Sequence, residues 1–419
     1  MLRKIEIEID RGTWPAIPNL PAFPPSFHHG LQQVDIDLAA MLQELGRLTT
    51  PPSTHGITLA EYWAFVRYFS AVTADNELRL TEDFSKLDAH QKTILSDDFG
   101  MGIPMYWLEQ QLGPLLKCDG RYFIESVASA VGASPTNISK RGPNKSPDFV
   151  ALDGQGVWHV IECKGTQSGT NYRDRQLFGS NTVAGAVQQK VSITFPTGHT
   201  GQRLACGLVI GIEGKSGTTN LKIVDPPVSE RAFEVREEYL EAAADTVLRS
   251  TLAVSLRLAG FQTASYAVAS PIGPSPASRK STGSNEDDRK SFVESRREGA
   301  ATEIRERQDR SIFYSKARRY YGRQLILDLP RPLATEKGFV RTIRVRQGVS
   351  AEFLNLLAEE NFPDTRIVGS TLGEKMGMLT TRIEREDDTT QLFVGDIFFS
   401  RVDLPAKERS SRDTGPLDA

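Results

Sequence analysis

Cysteine is scarce in this chain: Cys118, Cys163 and Cys206 are the three in 419 residues, and they are scattered. That excludes a disulfide framework and a cysteine-rich zinc site, and it sets a reducing, cytoplasmic location as the expectation. Long apolar runs are missing as well. None approaches a membrane span, and Met1-Leu2-Arg3-Lys4-Ile5-Glu6 lacks the apolar stretch of a secretory signal, so no membrane partner is expected. A basic surplus is also absent: 50 Lys and Arg stand against 53 Asp and Glu, a net charge of −3. Proteins that grip a long duplex through its phosphates usually carry such a surplus. Any positive surface here must therefore be local, or come from a homodimer or a partner protein. A nucleotide-binding loop is excluded too. Gly214-Lys215-Ser216 resembles the end of one, but Val209 stands where that loop requires glycine.

What is present is an ordinary globular composition, 39% apolar and 25% charged, on a chain too long for one typical core. Its most informative stretch runs from Ser146-Pro147-Asp148-Phe149-Val150-Ala151-Leu152 to Val157-Trp158-His159-Val160-Ile161-Glu162-Cys163-Lys164-Gly165-Thr166. Both arms are apolar, β-branched or aromatic, and Asp153-Gly154-Gln155-Gly156 between them is a hairpin signal. Side chains alternate along a strand, so Glu162 and Lys164 share a face while Ile161 and Cys163 point into a core. Asp148, at the start of the first arm, folds back beside Glu162. Two close carboxylates repel, and a divalent cation relieves the repulsion. Hard oxygen donors favour Mg²⁺, which takes one or two carboxylates and keeps several waters.

Pro147-Asp148 with Glu162-Cys163-Lys164 resembles the signature of the PD-(D/E)XK, or restriction-endonuclease-like, nucleases, over roughly residues 101 to 224. The resemblance implies an α/β (α+β) core, a mixed central sheet flanked by helices. It also implies catalytic Asp148, Glu162 and Lys164. Mg²⁺, with Mn²⁺ as a substitute, would be held by Asp148, Glu162 and the Cys163 backbone carbonyl. A helix before the hairpin often supplies one more acid in such enzymes. Glu109, on a helix expected over Pro104 to Leu112, is the candidate, with Glu125 behind it, and either could equally be a solvated position. The sequence carries its own controls. Glu213-Gly214-Lys215 has no Pro-Asp at hairpin distance, and Pro363-Asp364 has no acidic-x-Lys partner. His28-His29 lacks further ligands nearby and reads as loop.

Around this core the pattern divides the chain into five parts: a mostly helical N-terminal region (1–95), the nuclease-like core with a long helix at its end (96–268), a linker and charged segment (269–310), a small α+β domain (311–404) and a disordered tail (405–419). Helical spacing is expected over Val34 to Leu48, Thr58 to Val72 and Ser229 to Leu258. The basic, aromatic-containing stretch Arg289 to Arg323 suits a nucleic-acid contact or an exposed charged helix, and the helix is the favoured reading. Candidate phosphate contacts are Lys140, Arg141 and Lys145 before the hairpin, which a solvated loop explains equally well, Arg173 and Arg175 in a loop after it, and Gln188 and Lys190 on the next helix, for which a surface helix is the favoured account. The expected function is a Mg²⁺-dependent DNA nuclease, with defence against foreign DNA implied by the resemblance alone. The competing readings are a non-catalytic nucleic-acid- or protein-binding subunit, and a nuclease that cleaves RNA.

Overall fold

The computed structural model describes residues 1–16, 21–52, 65, 67–131, 146–179, 185–190, 192–227, 233–270, 284–307, 310–335, 338–359, 381–386 and 388–407. The chain is mixed α/β. Its main sheet is built from β1 (Leu2–Ile9), β2 (Gly30–Asp37), β3 (Leu115–Asp119), β4 (Phe149–Asp153), β5 (Trp158–Thr166), β6 (Thr200–Val209) and β7 (Asn220–Val224). The strand order is β2-β1-β7-β6-β5-β4-β3. Pairs β1/β7 and β5/β6 are parallel, and the others are antiparallel.

The alternation in β1 buries Ile5, Ile7 and Ile9, with Arg3 on the same side, while Lys4, Glu6 and Glu8 face the other way, the period expected of a half-buried strand. Through β7 this strand joins the sheet that carries the hairpin. The first 95 residues are therefore not a separate helical region, because two of their strands complete one edge of the central sheet. The hairpin turn closes as its residues require. Asp153 Oδ1 accepts from the N–H groups of Gln155 (2.8 Å) and Val157 (2.9 Å), and Gly156 takes the positive φ of 79° that glycine tolerates.

Helix α1 (Leu38–Leu48) begins at Asp37, whose carboxylate accepts from Ala39 and Ala40 N–H. Helix α2 (Ala89–Leu112) is far longer than the Pro104–Leu112 segment expected. It starts at Asp88, capped onto His90 and Gln91, and passes through Pro104. Its middle is buried continuously from Ile103 to Leu108, so no single apolar stripe marks it in the sequence. Helices α3 (Gly120–Ala130) and α4 (Thr170–Phe178) stand before and after the hairpin. The helix expected from Ser229 starts instead at Leu240, as α5 (Leu240–Leu258), after a short strand, Phe233–Glu234, that pairs with Ile193–Thr194.

Beyond α6 (Gln262–Ala269) and α7 (Ser284–Arg305) lies a second sheet: β8 (Ser311–Ser315), β9 (Arg318–Thr335), β10 (Gly338–Ser350), β11 (Thr381–Glu386), β12 (Thr389–Val394) and β13 (Phe398–Asp403), with α8 (Ala351–Glu359) after β10. Its order is β8-β9-β10-β13-β12-β11, antiparallel throughout. The helix expected across Arg289 to Arg323 thus stops at Arg305, and strands take over from Ser311. One face of this sheet buries Ile343, Val345, Val402 and Phe398 against α1 and α5, which also pack on the main sheet. Two helices shared between two sheets make the core continuous. Asp37 adds a polar tie, pairing with Arg385 of β11. No helix among the described residues is long and apolar enough to cross a membrane.

Candidate active site

The hairpin register pairs Phe149 with Ile161, so one step outward Asp148 comes opposite Glu162. Directly opposed residues share a face of the sheet. Lys164 joins them because it lies two residues beyond Glu162 on β5. The three groups are tied together by short contacts. The Cys163 N–H donates to Asp148 Oδ2 at 2.7 Å, and the Asp148 N–H donates to Glu162 Oε2 at 3.0 Å. Lys164 Nζ pairs with Glu162 Oε1. Glu162 is fully buried, Asp148 is half-buried, and the Lys164 side chain is 27% exposed.

Burial pushes Glu162 up to about 8, and the Asp148 charge adds to the rise while Lys164 opposes it. Asp148 is raised as well, by burial first, with Lys164 and the Cys163 N–H pulling the other way. For Lys164 burial works against the ammonium, yet the charges of Glu162 and Asp148 outweigh it and hold the pKa above its ordinary value. At neutral pH and without a cation, the site therefore favours a proton on Glu162. Two carboxylates with too little positive charge around them form a donor set that suits a hard divalent ion. Among the described residues no group of three or more His, Cys, Asp or Glu is gathered closely enough to hold a metal. Two carboxylates are nevertheless the number Mg²⁺ commonly takes from protein, the rest of its sphere being water and substrate phosphate. The residues present fit the ion.

One acid escaped the sequence reading. Asp97, on α2, is close enough to Lys164 and Asp148 for both to act on its ionisation. Burial raises its pKa first, Lys164 lowers it and Asp148 raises it again. The helix reaches this point because glycine meets backbone. A Cβ on Gly165 would lie 1.7 Å from the Ser96 carbonyl oxygen, and one on Gly100 would lie 2.6 Å from Gly165 N. The signal was available in Ser96-Asp97-Asp98 followed by Gly100, once the helix is extended upstream of Pro104. Asp98 itself accepts from the Tyr68 hydroxyl.

The other candidates divide by placement. Glu109 pairs with buried Lys117 at 2.8 Å, in a network with Glu44 and Arg47. It stands three turns beyond Asp97, about 18 Å along the helix axis. Glu125 pairs with Arg121 on the surface of α3. Arg173 is buried and held by Asn220, Asp174 and Glu8. Lys190 is buried against Asp225 and the Arg203 carbonyl, and Gln188 Oε1 accepts from Gly185 N–H. These three side chains serve internal contacts. Arg175 is exposed, its guanidinium 5.6 Å from the Tyr172 ring centroid. Lys140, Arg141 and Lys145 lie outside the described residues. No family model matches the chain, and neither the curated proteins nor the solved structures yield a significant match.

Proposed function

We propose that this chain is a metal-dependent nuclease that hydrolyses phosphodiester bonds in DNA, with Asp148, Glu162 and Lys164 as its catalytic set. The observation that carries the reading is the convergence of two carboxylates and an ammonium at the mouth of one hairpin, each carboxylate hydrogen-bonded to the backbone of the opposite arm. The main sheet supports it as a restriction-endonuclease-like core, since β5 has an antiparallel partner on one side and a parallel one on the other. Defence against foreign DNA is part of the same proposal.

Asp148 and Glu162 would hold Mg²⁺, which supplies charge stabilisation at the phosphorus and a water of lowered pKa. The rest falls to the protein. The two backbone N–H donors hold one oxygen of each carboxylate in place before substrate arrives. Lys164, paired with Glu162 and partly exposed, is the group that would donate to the attacking water or to a non-bridging phosphate oxygen. Its raised pKa makes it a charge donor and positioner of water rather than a base. Asp97, an exposed acid on α2 whose ionisation Lys164 favours, adds negative charge on the same side of the site.

The test is cleavage of single- and double-stranded DNA and RNA by purified protein in Mg²⁺, Mn²⁺ and EDTA, alongside Lys164→Ala. Metal-dependent cleavage of DNA that falls by about 10²–10³ in the folded variant is expected. Preference for RNA reassigns the substrate, and binding without cleavage in any metal selects the non-catalytic subunit. Unchanged cleavage by Lys164→Ala removes the chemistry proposed.

A further inference from the structure

The second sheet turns one face to the core and the other to solvent, and the solvent face is unlike an ordinary polar surface. Opposed pairs across the strands share a face. The register therefore puts Gln324, Arg346 and Arg401 in one row, with Ile326, Arg344 and Asp403 in the next. On the other side of that first row, Ser311, Gly322, Gly348 and Phe399 line up. At the two glycines the strands approach closely, a Cβ on Gly322 falling 1.9 Å from the Gln347 carbonyl oxygen, and a trough opens beside them, between Ser311 and Phe399. Phe313, paired with Tyr320 across the strands, walls it.

The trough is a depression of about 460 Å³ that includes Ser311, Phe313, Gln324, Arg346, Phe399 and Arg401 in its lining. Phe399 and Phe313 reach it from a small aromatic cluster in which Tyr320, Phe393 and Phe399 are buried and Phe313 is packed half-buried against them. Beside it stand three arginines and two carboxylates, Asp403 and, one row further on the same face, exposed Asp328. Asp403 takes Arg401 at 2.6 Å and Arg346 at 3.3 Å. Arg344 is exposed and makes no ion pair among the described residues. Burial lowers the pKa of Arg346; Asp403 opposes this, and Arg401 and Arg344 add to the lowering. Positive charge here thus exceeds what the sheet itself neutralises. Between the arginines Ile326 is 54% exposed, an apolar side chain with no core to fill.

We infer that this face binds a single nucleic-acid strand, its phosphates on Arg344, Arg346 and Arg401 and one base in the trough against Phe313, with Gln324 as an edge donor and acceptor. An aromatic wall beside surplus guanidinium charge serves a ligand that alternates flat rings with anions. A paired base cannot enter the trough, so a duplex is disfavoured. An acidic peptide would satisfy the arginines but leave the aromatic wall and Ile326 unused. The surface faces away from the layer that joins the two sheets, so it would anchor the strand apart from the hairpin. It adds a binding site to the proposed nuclease without depending on cleavage.

The test is fluorescence anisotropy of the full chain in EDTA with three probes: a labelled single-stranded oligothymidine, the corresponding duplex, and an abasic strand of equal length. Polyglutamate serves as competitor. Arg344→Glu changes an exposed residue and leaves the Asp403 pairs intact, so folding is not at stake. It should weaken the single strand about tenfold and lower the salt slope by about one. Phe313→Ala should weaken oligothymidine but not the abasic strand. Unchanged affinity in both variants overturns the site. Equal losses for the duplex overturn the single-strand assignment, and displacement by polyglutamate at matched charge makes the face an acidic-protein site instead. Because Asp148 and Glu162 play no part in EDTA, failure here leaves the nuclease reading standing, and failure of cleavage leaves this one standing.

Discussion

Gly165 of β5 lies directly beneath the Ser96 carbonyl of α2, so close that a methyl group there would sit 1.7 Å from the oxygen. This contact joins the helix bearing Asp97 to the strand bearing Glu162 and Lys164. Gly165→Ala has no flexible neighbour to displace, because backbone faces backbone. The substitution should cost on the order of 1–3 kcal/mol or more of stability through overpacking and also depress cleavage, since the Asp97 turn must move outward. Equilibrium denaturation and metal-dependent cleavage measured together check this; a variant as stable and as active as the parent contradicts the close approach.

Asp97 and Glu109 make a controlled comparison on one helix. Asp97→Asn should lower cleavage about 10–100-fold, as loss of a group that supports metal-site residues does, with little change in stability. Glu109→Gln should do the reverse. It removes one of the two carboxylates on buried Lys117, costing on the order of 1–3 kcal/mol while the surviving folded protein cleaves normally. A catalytic defect confined to Glu109→Gln would exchange the two roles.

Glu162 is held in a position that opposes its own charge, with a pKa pushed up to about 8 by burial and by Asp148. Glu162→Gln should therefore raise the thermal midpoint in EDTA while abolishing metal-dependent cleavage. Added Mg²⁺ should stabilise the parent but not this variant, because a ligand that binds only the folded state adds its binding free energy to stability. A parent whose midpoint ignores Mg²⁺ at millimolar concentration would leave the carboxylate pair without its proposed ion.

The buried pair Lys190–Asp225 gives a pH dependence of unusual sign. Burial lowers Lys190 to about 8 and raises Asp225 to about 6, against the attraction between them. Above pH 8 the folded chain sheds a proton that unfolded lysine keeps to about 10.4, so the pair's contribution to stability rises with pH there. Below pH 6 the folded chain binds a proton that unfolded aspartate does not take up until about 3.9, so the contribution rises as pH falls. It is smallest between about pH 6 and 8. Lys190→Met alone should cost about 3–5 kcal/mol by stranding Asp225, and Lys190→Met with Asp225→Leu should cost far less. Denaturation of parent and double variant at several pH values should show their difference narrowest near neutrality; a difference greatest there would reverse the sign.

The hairpin was legible because its instructions are local. Alternation placed Glu162 and Lys164 on one face, and Asp153-Gly154 marked the turn that returns Asp148 to them. A turn and a period of two act over a few residues, so sequence order alone specifies them. The alternation of Ile5, Ile7 and Ile9 likewise marked a strand, but nothing local says that its partner is β7, more than two hundred residues away. Helix α2 hid its length because it is surrounded by core and carries no polar stripe. Asp97 was hidden with it, since its role comes from Gly100 meeting Gly165 across two elements. The surface candidates follow the same rule. Charge pattern offered Arg173 and Lys190 to phosphate, while packing committed them to Asn220, Asp174 and Asp225. Which residues are polar is written in the chain; which of them keep their polarity for a ligand is decided only when distant segments have taken the partners they need.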